Sequence, residues 1–231
     1  MSQSQGTAAK YRIRPGTFFD VPAVSRLYAA SFATEPIIDF LFPARRQDPL
    51  SFYTSTCRRF RGRYWTLGYS LTVVVDKNNQ PVAFSWWKRP VESLSIFQRF
   101  LSPTAWVGSL VNAVISIQNY LFPIQGSNPD NAKAFERALA VTEPQVLNTP
   151  QRQEAQYLSL LGVDPVLQGE GLGRMLLEDG LRSADQEGSA TWLISLAGLE
   201  RFYARYGFIE TLKVKIDELK DWKGGMVMVR E

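Results

Sequence analysis

Few folds suit a strand that ends in a glycine-rich turn and re-emerges as a helix, and residues 156–174 read that way. Tyr157 to Val163 is an apolar run of strand character, and Pro165 ends it because proline has no N–H to give a ladder. Gln168-Gly169-Glu170-Gly171-Leu172-Gly173-Arg174 follows, and from about Leu172 apolar residues recur at helical spacing, at Leu172, Met175 and Leu176. Successive backbone N–H groups converge at such a junction, and the positive end of the helix dipole adds to them, so the junction favours a phosphate. Glycine admits positive φ there and puts no Cβ between backbone and ligand. The alternate glycines are not the Rossmann fingerprint, since residue 174 is arginine, and no Gly-Lys-Ser/Thr closes a Walker loop. On these residues alone, a tight turn with no ligand stays open as the plainer alternative.

Composition closes off other chemistry. The chain has 231 residues, 45% hydrophobic and 13% aromatic, enough for one domain with a substantial core. It contains no histidine, so neither a Cys–His nucleophile nor a Ser-His-Asp triad exists. Without histidine, with one cysteine and with no carboxylates at ligand spacing, no metal site is expected. Cys57 stands alone, which rules out an intrachain disulfide and suits a reducing, cytoplasmic setting. The formal charge of +4 is mild, and the basic run Arg58-Arg59-Phe60-Arg61-Gly62-Arg63 reads as a solvated helix face or a face toward phosphates rather than a nucleic-acid patch. Residues 1–10 are small and polar, without the apolar core of a signal peptide, and read as a frayed tail.

In chain order, Tyr11-Arg12-Ile13-Arg14 reads as a strand, and Asp20 as the N-cap of a helix with the apolar stripe Val24, Leu27, Tyr28 and Phe32. Glu35 to Pro43 is a short helix or loop between prolines, and Ser51 to Tyr64 a helix. Ser70–Val75 and Pro81–Trp87 form a hairpin about Asp76–Gln80. Residues 91–150 read as a helical insertion, with helices over Ser93–Leu101, Pro103–Phe122 and Asp130–Ala140, then a loop from Thr142 to Arg152. Its apolar run Trp106–Ile117 is too short and too interrupted, at Gly108, Asn112 and Ser116, to span a membrane. A helix lying on a membrane would want basic residues on its polar face, and this one is neutral. Packing over a cleft is the preferred reading of the insertion, a homodimer surface the next, and membrane contact the last. A helix to Gly188, a strand over Ala190–Ser195, a short helix over Leu199–Arg205 and strands over Phe208–Lys215 and Gly225–Arg230 complete the chain. The expected class is α/β, one domain over 11–231, with a mixed, mostly antiparallel sheet flanked by helices.

Val163 to Gly173 resembles the acetyl-CoA signature of the GCN5-related N-acetyltransferase (GNAT) superfamily, Gln/Arg-x-x-Gly-x-Gly/Ala, matched at Gln168, Gly171 and Gly173. Phe202 to Phe208 resembles the family's second signature, Tyr-x-x-x-Gly-Phe, matched at Tyr203, Gly207 and Phe208. The resemblance covers roughly residues 11–90 and 154–231, with the insertion outside it, and the whole looks like acetyltransferases of filamentous fungi. It implies the GNAT fold and acetyl transfer from acetyl-CoA to a primary amine by direct attack in a ternary complex. It implies cofactor contacts from Gln168, Gly169, Glu170, Gly171, Leu172, Gly173 and Arg174 to the pyrophosphate, and from Leu161, Gly162 and Val163 to the pantetheine arm. Many relatives carry an asparagine where this chain has Leu196, and Ser195 is its weak substitute. Tyr203 takes the acid role by resemblance, with a core aromatic as the alternative. Glu154 leads as base, followed by Glu35 and Asp39, and each is equally well a surface carboxylate. Glu35, Phe40, Trp86 and Trp87, with Trp106 and Tyr120, are the candidates for the acceptor side, and they favour a small-molecule amine. A protein N-acetyltransferase and a non-catalytic acyl-CoA-binding module are the competing readings.

Overall fold

The structure, a computed structural model, describes residues 10–96, 99, 103–122 and 126–231. Runs of β-branched and aromatic residues, which fit a pleated surface, form β1 (Arg12–Pro15), β2 (Tyr69–Val75), β3 (Pro81–Lys88), β4 (Gln156–Val163), β5 (Thr191–Ser195), β6 (Ile209–Lys213) and β7 (Met226–Arg230). They make one seven-stranded sheet in the order β1-β2-β3-β4-β5-β7-β6. All neighbours run antiparallel except β4 and β5.

The helices are α1 (Val21–Ser31), α2 (Pro36–Leu41), α3 (Pro49–Tyr64), α4 (Pro103–Leu121), α5 (Pro129–Val146), α6 (Leu172–Glu187) and α7 (Glu200–Ala204). Trp86 and Trp87, adjacent on β3, point to opposite faces of the sheet. Trp86 packs on Phe60 of α3 with ring centroids 5.8 Å apart. Trp87 lies under α6, where Gly180 leaves room for its indole. The main core therefore lies between the sheet and α1 and α3, and two smaller clusters lie beneath α6 and α7.

Several elements differ from the sequence-based expectation. Asp20 precedes α1, but its carboxylate accepts from Arg14 at 2.7 Å and from the Thr17 amide at 2.7 Å rather than capping that helix. The helix expected from Asp130 begins at Pro129 as α5, capped by Asn128, which accepts from the amides of Asp130 and Asn131. The loop expected from Thr142 begins only after Val146. A proline in the last turn costs one backbone bond, and burial of Thr142 and Val146 against the core carries the helix past Pro144. The expected helix Ser93–Leu101 falls partly on residues 97, 98 and 100–102, which lie outside the described residues; a 3-10 turn at Val91–Ser93 precedes it, and Arg99 N–H donates to Ser95 O at 3.0 Å, as in a helix.

Within the insertion, α4 lies along α3, with Asn112 and Ile115 facing Gly62, and exposes Trp106, Leu110, Val114 and Ile117. The second helix, α5, docks on α2 through Asn131 Nδ2, which donates to Phe40 O at 2.7 Å. Among the described residues no helix is long and apolar enough to cross a membrane.

Candidate active site

Strands β4 and β5 pair only through Gln156–Thr191, Tyr157–Trp192 and Leu158–Leu193, although β4 continues to Val163. Beyond Leu158 the strands part. Asp164 N–H donates to Val82 O at 2.9 Å, toward β3. Successive amides alternate sides along a strand, so the N–H groups of Leu161 and Val163 face the gap. The β3–β4 register slips between Trp86 and Trp87, which leaves Ser159 as the extra residue of a bulge. Below that bulge Gln156 N–H bonds Ala190 O on the β5 side at 2.8 Å. The bulge thus shifts which amides point toward β5.

The chain leaves β4 through a 3-10 turn at Pro165–Leu167 and enters α6 through Gly169 (φ +87°) and Gly171 (φ +85°). A Cβ added at either glycine would meet nothing within 4 Å, so the space before the turn is open. The first intrahelical bond runs from Met175 N to Gly171 O at 3.0 Å, and no side chain caps the helix. The amides of Leu172, Gly173 and Arg174 therefore point forward without an intrahelical partner. A Cβ at Gly173 would lie 3.5 Å from Leu161 and 3.6 Å from Val163, so the helix start rests on the gap-lining end of β4. Such a donor set suits an anion of diphosphate size. The side chains around it turn away. Glu170 accepts from Tyr11 Oη at 2.8 Å and Lys10 Nζ at 3.1 Å, Arg174 Nε donates to Glu178 at 2.7 Å, and Gln168 is exposed.

Beside the gap, on the α1 and α3 side of the sheet, lies a cavity of about 240 Å³. Its wall takes Tyr28 and Phe32 from α1, Ile37, Ile38 and Leu41 from α2, and Arg59 and Arg63 from α3. Tyr157 to Leu161 of β4, Tyr203 of α7, Phe135 and Leu139 of α5, and Trp222 complete most of it. Tyr203 is 7% exposed, and its ring meets Phe202 and Phe208 edge-on at 5.0 and 5.9 Å. Burial pushes its phenol pKa well above the ordinary value, so the hydroxyl keeps its proton. Tyr157, stacked on Trp192 at 4.1 Å, is raised for the same reason. Among the described residues the wall contains no aspartate or glutamate.

Of the residues singled out from sequence, Leu161 and Tyr203 line this cavity. Gly162 is buried against Phe84, and Val163 O accepts from Ser31 Oγ at 2.8 Å. Ser195 is buried behind the gap with its hydroxyl donated to Leu196 O at 2.9 Å. Glu154 is exposed in the turn before β4, outside the wall. Glu35 also lies outside it, half-buried, and burial raises its carboxyl pKa. Asp39 is engaged by Arg45 at 2.6 Å and Arg46 at 2.7 Å; the Arg45 hydrogen bond leads in holding its pKa at about 2. Ile37, Ile38 and Leu41 present one side of α2 to the cavity, and Phe40 lies outside the wall. Trp86 stands behind Arg63, 5.7 Å from ring centroid to guanidinium. Trp87 is under α6, and Trp106 and Tyr120 are exposed on α4. Sequence reasoning missed Tyr69 and Trp222, and gave Arg59 and Arg63 only as part of a basic run on a solvated or phosphate-facing side of the helix. For the arginines a signal existed, because positions 59 and 63 share the helical face of Phe52 and Phe60, whereas Arg61 falls on the exposed side. Among the described residues no group of three or more His, Cys, Asp or Glu is placed to hold a metal ion.

The model of the family described as acetyltransferase (GNAT) domain matches residues 146–218, which hold β4, the turn, α6, β5, α7 and β6. The comparison with curated proteins found no match. Solved structures share the fold. One, described as histone acetyltransferase HPA2 and related acetyltransferase from Corynebacterium glutamicum, is 18% identical with a TM-score of 0.63 over 96% of each chain. An arylalkylamine N-acetyltransferase like 5b from mosquito is 12% identical with a TM-score of 0.53, over 95% of this chain and 99% of that one. A GNAT-family acetyltransferase from Desulfovibrio desulfuricans is 13% identical with a TM-score of 0.51, over 96% and 98%. Residues 146–218 are thus similar to the acetyltransferase (GNAT) domain, and the chain around them shares the fold of these solved acetyltransferases.

Proposed function

We propose that this protein transfers the acetyl group of acetyl-CoA to the primary amine of a small molecule, by direct attack with both substrates bound. The observation that carries the reading is the parting of β4 from β5 after Leu158, with free amides at its mouth and a small cavity beside it. The residues present fit the cosubstrate. The unpartnered amides of Leu172, Gly173 and Arg174 suit the diphosphate, and the Cβ-free front of Gly169 and Gly171 lets it approach. The gap-facing edge of Leu161–Val163 suits the amides of the pantetheine arm, as an added strand would. Acetyl-CoA supplies the thioester, and the Val163 N–H is the donor for its carbonyl oxygen as charge develops there.

Tyr203 holds a proton in the cavity wall and gives it to the departing sulfur. The amine needs no covalent enzyme intermediate. Its ammonium proton must leave first, and the cations Arg59 and Arg63 disfavour a further positive charge in the same cavity. Glu35 and Glu154 are the proposed proton acceptors, Glu35 ahead because burial raises its carboxyl pKa. A cavity of about 240 Å³ walled mainly by tyrosine, phenylalanine and leucine supports a small acceptor over a peptide.

The test is thiol release from acetyl-CoA against a panel of small amines and of peptides with free N-termini or lysines. Turnover confined to small amines is expected. Turnover confined to peptides would refute the acceptor class, and CoA binding without turnover on any acceptor would refute the enzyme reading.

A further inference from the structure

Two guanidiniums stand in the cavity wall, and among the described residues no carboxylate pairs with either. Arg59 and Arg63 lie one turn apart on α3, both against the Phe60 ring, at 5.3 and 5.6 Å. Arg63 also lies 5.0 Å from the Tyr69 ring, and Arg59 lies 5.2 Å from that of Tyr28. Arg59 Nε and Nη2 and Arg63 Nη1 are buried without a hydrogen-bond partner. Among the described residues no carboxylate lines the cavity, and Asp39 is taken by Arg45 and Arg46. Buried charges are ordinarily paired, like charges one turn apart repel, and an unsatisfied buried donor costs free energy. Aromatic faces offset only part of that cost. Arginine rather than lysine at both positions supplies planar forks of donors, which match a carboxylate.

Resting on the proposed acetyl transfer, we infer that the acceptor is a small amine that also carries a carboxylate, bound by Arg59 and Arg63 inside this cavity. The carboxylate satisfies the orphaned donors, the apolar wall takes the body of the molecule, and the amine is left to reach toward the gap. An amino acid with an apolar or aromatic side chain has this chemistry.

The experiment has a binding arm that needs no turnover. Thermal unfolding of the full chain is followed with phenylacetate and, as the uncharged match, with benzyl alcohol. Phenylacetate should raise Tm of the wild type and leave that of Arg63→Met unmoved, while benzyl alcohol moves neither. Equal response of the wild type to the two probes, or an undiminished phenylacetate response in Arg63→Met, would overturn the inference. In the kinetic arm, kcat/KM for phenylalanine is compared with that for 2-phenylethylamine. Their ratio should favour phenylalanine in the wild type and fall by at least about 30-fold in Arg63→Met, the lower bound for truncating one partner of a buried charge pair. A proportional fall on both amines would instead make Arg63 a structural residue. Ligand-free Arg63→Met should melt no lower than the wild type, because methionine removes a buried unpaired charge at similar volume. A clear loss of Tm would contradict a ligand-directed role. If phenylacetate binds as expected and no amine turns over, the acetyl-transfer reading fails and the anion site stands.

Discussion

Replacing Gly171 by alanine tests the turn against a control built into the same helix. Gly171 opens α6 at φ +85°, and Gly188 closes it at φ +63°. Neither would bring a new Cβ within 4 Å of another atom, so the protein itself has room for both substitutions. Each residue must hold a left-handed backbone, which costs an alanine about 1–2 kcal/mol. In a chain of 231 residues that lowers Tm by about 2–8 °C, at roughly 2–4 °C per kcal/mol. The two variants should therefore lose similar stability. They should differ in ligand binding, because only the Gly171 Cβ stands before the amides of Leu172, Gly173 and Arg174. A displaced diphosphate that forfeits one charge-assisted hydrogen bond loses about 1.5–3 kcal/mol, or roughly ten- to a hundredfold in CoA affinity. Titration calorimetry with CoA, alongside thermal unfolding, reads both quantities. Wild-type affinity in Gly171→Ala, or an equal loss of affinity in Gly188→Ala, would refute the reasoning.

Tyr203→Phe should lower kcat by about a hundredfold or more, the usual worth of a positioned acid, with the CoA Kd unchanged; wild-type kcat would argue against the proton-donor role. Because burial raises the Tyr203 pKa, its proton stays in place as pH rises, and the wild-type kcat should show no falling limb from this group up to about pH 10. Asp39 bears on stability instead. Its carboxyl is held at about 2 against an ordinary 3.8, so the pairing contributes fully above about pH 5 and is lost as pH falls from about 4 through 2. The shift alone corresponds to about 2.4 kcal/mol, and for a side chain 35% exposed solvent screening reduces this to about 1 kcal/mol. Asp39→Asn should then melt about 2–4 °C below the wild type at pH 7, with the difference vanishing near pH 2; a difference that persists there would contradict the ion-pair origin.

What was legible in the sequence was what short-range pattern carries. The strand through Val163, the stop at Pro165, the turn at Gly169–Gly171 and the helix from Leu172 all stand where their residues put them, because each is a local backbone preference. The hairpin of β2 and β3 was legible for the same reason. The gap was not, since how far β4 stays beside β5 depends on where Leu193 and Leu158 stop pairing, and no local pattern records that. The cavity wall was not either. It joins α1, α2, α3, α5 and α7, and its arginines belong to a basic run that reads as solvated until Phe60 is seen to be buried. Trp86 and Trp87 suggested an aromatic pocket, yet both fill core on opposite faces of the sheet, and the cavity draws its aromatics from Tyr28, Phe32, Tyr69, Phe135, Tyr157, Tyr203 and Trp222. The extent of α5 escaped because burial of Val146 outweighs the proline two residues before it.

Hydrogen–deuterium exchange of the full chain with and without CoA tests the central assignment most directly. Saturating CoA should slow exchange at the gap-facing amides of Leu161 and Val163 and at those from Gly169 to Arg174, while the paired amides of β2 and β7 stay as they were. Bound CoA that leaves residues 161–174 unprotected, with protection appearing elsewhere, would contradict it.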